Sequence, residues 1–226
     1  MTAPSRRKFV ASVRAHAAVR FPEDGGISFL PNDDKGRLDV SLRTNYEHLP
    51  DDKGAIPRTL WFEVWGPADS LDDARQRFQD HAGTVGIALT MATNAAIEGT
   101  AIDAVYDVTE GVTEHEFFEE IHVDEEGLPR TTRQVDVDLF LRVMGAFSES
   151  EYRERLYRSA AQYQTAIQHL LPGQEVLAIA HLWMAVEALT PVIRDLELAR
   201  FESREDLLRA WGIELKDFDA ELRGRI

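Results

Sequence analysis

The sequence predicts an α+β protein: an N-terminal antiparallel sheet with a long packing helix over residues 1–147, then an all-helical antiparallel bundle region over residues 148–226. Two observations carry this expectation. Leu38, Val40 and Leu42, and again Leu60, Phe62 and Val64, alternate with residues of opposite character in the period-two pattern of strands. From Val137 onward the helical period takes over for good. The 226 residues, 44% hydrophobic and 29% charged, have room for a sizeable core in one large or two small domains.

The elements are read in chain order. Phe9, Val13 and Ala17 recur four apart behind Ser5, which predicts a first helix from about Arg6 to Val19. Residues 1–20 carry Arg6, Arg7, Lys8, Arg14 and Arg20 with no acid, and the segment is read as a basic helix docked on an acidic body, with a phosphate-binding arm as the minor alternative. Strands follow around Leu38–Leu42 and Leu60–Val64. The second is expected to be covered on both faces, because Trp61 and Trp65 opposite an aliphatic stripe are costly to leave in water. Ser70, with Asp72 and Asp73 behind it, opens a long helix toward Ala96. Its small residues Ala88, Ala92, Ala95 and Ala96 suit close packing. Gly83-Thr84-Val85-Gly86 lacks the lysine and the glycine spacing of a phosphate loop.

Ala104 to Thr109 reads as a third strand. The stretch H-E-F-F-E-E-I-H, His115 to His122, admits two readings. As a helix it would place His115, Glu119 and His122 at i, i+4 and i+7 on one face, ligand types that zinc or iron accept, although the H-E-x-x-H spacing is not met. As a strand it would put the two histidines on opposite faces, where they cannot share an ion. The strand is the preferred reading, because it completes a three-strand meander with Ala104–Thr109 and, after the D-E-E-G-L-P turn, with T-T-R-Q-V-D-V. A metal-dependent enzyme using His115, Glu119 and His122 is the minor alternative; no metal and no cofactor is expected.

Val137 to about Gly145 is a short helix. Ser148 and Glu151 are read as a capping box for a long helix carrying Tyr152, Leu156, Tyr163, Ile167 and Leu170. Leu171-Pro172-Gly173 turns the chain into an antiparallel neighbour, Glu175 to Pro191, which is apolar almost all round and so belongs at the centre of a bundle or at a subunit interface. Trp183 is its largest apolar residue. His181 and Glu187 interrupt it on different faces: His181 reads as a satisfied core histidine, and Glu187 as a carboxylate that needs a structural partner. A Ser203-capped helix closed by Gly212 follows. The last segment sets Leu215, Phe218, Leu222 and Ile226 on one side and stops without a cap, which suggests continuation beyond Ile226.

Net charge −15 and a pI near 4.9 repel phosphate backbones and anionic lipid, so nucleic acid and membrane are not expected partners of this chain. The longest apolar-leaning run noted, Gly83 to Ile97, is too short and too polar to cross a bilayer, and the N-terminal arginines are not followed by the apolar run of a signal peptide. The absence of cysteine excludes disulfides and thiolate chemistry and fits a cytoplasmic location.

The pair R-L-Y-R-S-A-A-Q-Y-Q-T-A-I-Q-H-L-L and H-L-W-M-A-V-E-A-L-T resembles the first long antiparallel helices of HEPN-like bacterial domains. The resemblance covers about 75 residues at the C-terminal end and implies a bundle that dimerises. Members that act as ribonucleases use an arginine and a histidine four to six residues apart, late in the bundle. No such pair follows Phe147, whereas Arg43 to His48 and Arg75 to His81 match the spacing in the other half; no catalytic residue is carried over. The function expected is a non-catalytic sensing, binding and self-association module, a homodimer through the helical half. The alternative is the regulatory portion of a HEPN-type ribonuclease or defence system.

Overall fold

The computed structural model describes residues 6–22, 26–48, 55–120 and 132–224. The protein is mixed α+β, with a six-stranded antiparallel sheet and a long helix in its N-terminal half and several helices after it. It divides into two compact units, Met1–Met144 and Gly145–Ile226.

In the first unit, β1 (Arg7–His16), β2 (Val19–Arg20), β3 (Ile27–Phe29), the small hairpin of β4 (Asn32–Asp33) and β5 (Gly36–Arg37), β6 (Asp39–His48) and β7 (Ala55–Ala68) precede α1 (Leu71–Thr93). β8 (Glu98–Asp107), β9 (Phe117–Glu119), β10 (Arg133–Gln134) and α2 (Val137–Glu149) follow it. The main sheet runs in the order β3-β6-β7-β1-β8-β9.

The N-terminal basic segment is therefore a strand at the heart of the sheet, not the expected helix. A spacing of four satisfies both periods, so Phe9, Val13 and Ala17 could not decide between them. Ala11 and Ala15 decide it, because they complete a period-two stripe of Phe9, Ala11, Val13 and Ala15 in which every residue is 0% exposed. The attraction between basic segment and acidic body is realised inside the sheet: Arg14 Nε lies 3.1 Å from Asp103, and Arg7 sits between Asp107 at 3.5 Å and Glu116 at 2.8 Å.

One face of the sheet, built from the β1 stripe with Val40, Leu42, Leu60, Phe62 and Val64, is buried and carries α1. The Ser70 hydroxyl caps α1 by accepting from the Asp73 amide at 3.2 Å, and Asn94 in the left-handed region (φ 53°) ends it. Ala82, Val85, Ala88 and Leu89 are fully buried, so the small-residue half of α1 is packing surface, and Gly83 to Gly86 is helix interior. On the opposite face, which is open among the described residues of this unit, Trp61 and Trp65 are half-buried. Glu63 accepts from Trp65 Nε1 at 2.7 Å, and Lys8 Nζ lies 5.6 Å from the indole centroid.

A part-buried latch joins α1 to the β4–β5 hairpin. Arg77, 8% exposed, donates from Nε and Nη2 to the two Asp33 oxygens at 2.7 and 2.6 Å, from Nη2 to the Gly36 carbonyl at 2.8 Å, and from Nη1 to the Pro67 carbonyl. Partial burial pushes the Asp33 carboxyl up, but the Arg77 guanidinium and the Lys35 and Gly36 amides outweigh it and hold it below the usual carboxylate value. One turn further along, His81 has its Nε2 closed off from solvent with no hydrogen-bond partner among the described residues. Burial, aided by the Arg77 charge and opposed by Asp33, drives its imidazole from 6.5 to about 4.

The expected meander is only half present. β9 pairs antiparallel with β8, but T-T-R-Q-V-D-V gives just the two residues of β10, which pair in parallel with β2. The D-E-E-G-L-P turn lies outside the described residues. α2 runs through Gly145 to Glu149, so Ser148 lies inside that helix, with its hydroxyl donating to the Gly145 carbonyl at 3.1 Å, and is not the N-cap of the helix that follows. The Ser150 hydroxyl instead accepts from the Tyr152 amide at 3.1 Å, ahead of α3 (Arg153–Gln168). α4 (Glu175–Leu198), α5 (Arg204–Trp211) and α6 (Phe218–Gly224) complete the second unit.

Candidate interaction surface

The turn between α3 and α4 contains Gly173 at φ 85°, a conformation that favours glycine. The His169 ring nitrogen meets the Gln174 side-chain oxygen at 2.7 Å, and Glu175 accepts from the Gly173 amide at 3.1 Å. The two helices then run side by side along a seam of small residues. α4 buries Ala178, Ala185 and Val192, spaced by sevens, and α3 buries Ser159, Ala160, Ala166 and Ile167. The Ser159 hydroxyl donates to the Ala185 carbonyl at 2.9 Å inside that seam.

A seam of alanines leaves the large side chains of α4 pointing elsewhere. Val176 is 80% exposed, Ile179 65% and Trp183 58%, and Leu177, Leu182 and Met184 lie between 37% and 49%. Past Val186 the apolar residues Ala188, Leu189, Val192 and Ile193 are half-buried or buried, and α5 and α6 pack on this helix with Leu207, Phe218 and Leu222 fully buried. The expectation of a helix at the centre of a bundle thus fails within one chain. The apolar stripe Val176, Ile179, Ala180, Trp183 lies open, which leaves the other half of that expectation, a subunit interface.

The two polar residues of α4 separate as their different faces require. His181 turns toward α3, its ring nitrogen 2.7 Å from the Gln162 side-chain oxygen and its ring stacked on His169 at 5.5 Å. It is a satisfied packing histidine. Glu187 is exposed, so the burial cost that singled it out is not incurred. Pro191 falls inside the helix, where it removes the hydrogen bond to the Glu187 carbonyl. Sequence reasoning missed that Glu175–Leu198, rather than Gly83–Ile97, is the segment long and apolar enough to cross a membrane by length and composition: an 18-residue window averages 1.8 in hydropathy and is 17% buried.

Of the three residues considered for a metal, His115 and Glu119 lie within the described residues, the first in the β8–β9 connection and the second on β9. His115 follows the β8 strand in a turn, with Nδ1 2.9 Å from the Asp107 carbonyl. Glu119 is on β9, where it accepts from the Tyr106 hydroxyl. His122 lies outside the described residues. Phe117 to Glu119 form the strand, so Phe117 is 67% exposed on the open face, while Phe118 meets the Arg75 guanidinium of α1 at 3.6 Å. Among the described residues no group of three or more His, Asp or Glu side chains is placed to hold an ion. Compared with known protein families, curated proteins and solved structures, the chain matches none.

Proposed function

We propose that this chain is a binding and self-association module, in which the open stripe of α4 packs against the same stripe of a second copy. The observation that carries the reading is the exposure of Val176, Leu177, Ile179, Leu182, Trp183 and Met184 together on one helix. Three large apolar side chains more than half exposed on one stripe, with three more partly exposed beside them, form the kind of contiguous patch that marks an interaction site rather than scattered surface residues. Two copies of α3 and α4 would make a four-helix arrangement whose centre is this stripe.

A bilayer suits the surface less well than a second copy. α4 is tied to α3 by the Ser159 hydroxyl and the Gln162 side chain, and α3 carries Arg153, Glu154, Arg155 and Arg158, which cannot follow it into hydrocarbon without large cost. The HEPN-like reading of the helical unit belongs to the same proposal, since dimerisation is what that resemblance implies. The unit is assigned an organising role rather than chemistry.

Sedimentation velocity on the whole chain, with Ile179→Glu/Trp183→Glu as comparison, tests it. A concentration-dependent dimer in the micromolar range that the double variant loses supports the reading. A monomer throughout overturns it, as does partition of the unmodified chain into neutral lipid vesicles in place of dimer formation.

A further inference from the structure

The open face of the sheet carries a second feature, independent of α4. Where β6, β7 and β1 run side by side, a groove of about 860 Å³ opens over Trp65. The register places Asp39 and Val10 on either side of Trp65, and Ser41 and Ser12 on either side of Glu63. Ser28 on β3 extends the latter row, its hydroxyl 2.6 Å from that of Ser41. Lys8 is opposite Pro67 on β1, and Arg37 stands two residues ahead of Asp39 on the other flank. Two cations therefore border a groove that Trp65 helps to line.

Their state of pairing is informative. The protein has forty carboxylates for twenty-five Lys and Arg residues, and cations near this rim are otherwise taken: Arg6 by Asp69, Arg7 by Asp107 and Glu116, Lys35 by Asp73. Lys8 and Arg37 have no carboxylate partner among the described residues; Lys8 Nζ lies over one face of the Trp65 ring, a position from which it can reach an anion joined to a ring on that indole. Lys8 and Arg37 flank the same groove from opposite sides of β7, and an anion seated between them is attracted by both. Trp65 is pinned through Nε1 to Glu63, so its ring is held in place for a flat partner. Glu63, Asp39 and the Ser28 and Ser41 hydroxyls supply hydrogen-bond acceptors beside it.

We propose that this groove binds a small flat anion, a ring that stacks on Trp65 joined to a single phosphate- or carboxylate-type group held by Lys8 and Arg37, in the size class of a nucleoside monophosphate. The volume falls in the range of small-molecule sites, about 300–1,000 Å³. A long nucleic-acid strand is disfavoured by the net charge of −15 and by Asp39 and Glu63 in the groove lining.

Calorimetric titration of the whole chain with AMP, GMP, CMP and UMP at low salt tests this, with adenosine and inorganic phosphate as arms that lack the charge or the ring. At least one monophosphate should bind saturably and at least about tenfold tighter than either arm, given the usual contribution of a stacked base. Trp65→Ala should weaken it about tenfold or more while Trp65→Phe holds it within a few-fold, and Lys8→Ala/Arg37→Ala should abolish both binding and its salt dependence. All these side chains are partly exposed, and circular dichroism checks that the variants fold. No saturable binding by any of the four, phosphate alone binding as well as the nucleotides, or binding that survives the double variant would each overturn the assignment.

Discussion

Acid should weaken the N-terminal unit through His81 well before its carboxylates titrate. The imidazole is held at about 4 in the folded chain against 6.5 when unfolded, because it is buried beside Arg77 and no described residue accepts a hydrogen bond from Nε2. Between those two values the unfolded chain binds more protons than the folded one, so stability is fully present above 6.5 and declines as pH falls toward 4. The whole shift corresponds to about 3 kcal/mol, of which about 2 kcal/mol is lost on going from pH 7.5 to pH 5. Urea unfolding across that interval, on the native chain and on His81→Leu, isolates the contribution: the native chain should lose about 2 kcal/mol more than the variant, which has no imidazole to protonate. Parallel pH profiles for the two proteins, or an imidazole that titrates near 6.5 by NMR in the folded chain, would refute the reasoning.

Further outcomes follow from other contacts. Arg77→Lys keeps the charge but loses the fork that serves Asp33, Gly36 and Pro67 together, and should cost about 2–4 kcal/mol in urea unfolding, with Asp33 titrating higher than in the native chain. A Cβ at Gly66 would collide with Cδ2 of the buried Leu38 and touch Phe78, so Gly66→Ala should lose about 1–3 kcal/mol by the same measurement, although β7 keeps its pairing. Ser70→Ala removes the acceptor for the Asp73 amide, and should cost about 1 kcal/mol and raise hydrogen exchange in the first turn of α1.

What the sequence disclosed depended on whether a pattern had one period or two. β6 and β7 were legible because Leu38, Val40, Leu42 and Leu60, Phe62, Val64 fit only alternation. α1 was legible because Ser70, Asp72 and Asp73 mark its start by chemistry that nothing else explains. β1 was misread as a helix because alanines at 11 and 15 carry little hydrophobic signal, so the fours of Phe9, Val13 and Ala17 spoke alone. β10 was overextended because its pairing partner, Val19–Arg20, lies more than a hundred residues away and no local pattern announces a parallel bridge. The apolar character of α4 was plain, but not which part of it stays open, because that is decided by the small residues of α3 that meet Ala178, Ala185 and Val192. The groove over Trp65 was hidden for a related reason. Lys8, Arg37 and Trp65 are far apart in the chain and are brought together only by the order β6-β7-β1.

Self-association through α4 can be tested at a single position, because the protein contains no cysteine. Ala180→Cys places one thiol in the middle of the open stripe, and Arg209→Cys places one on α5 at a side chain that is 80% exposed. With a short bismaleimide at micromolar protein, the thiol at position 180 should yield a covalent species of twice 25.6 kDa, and the thiol at position 209 should not. Equal yields at the two positions, or none at 180, would contradict an interface built on this helix.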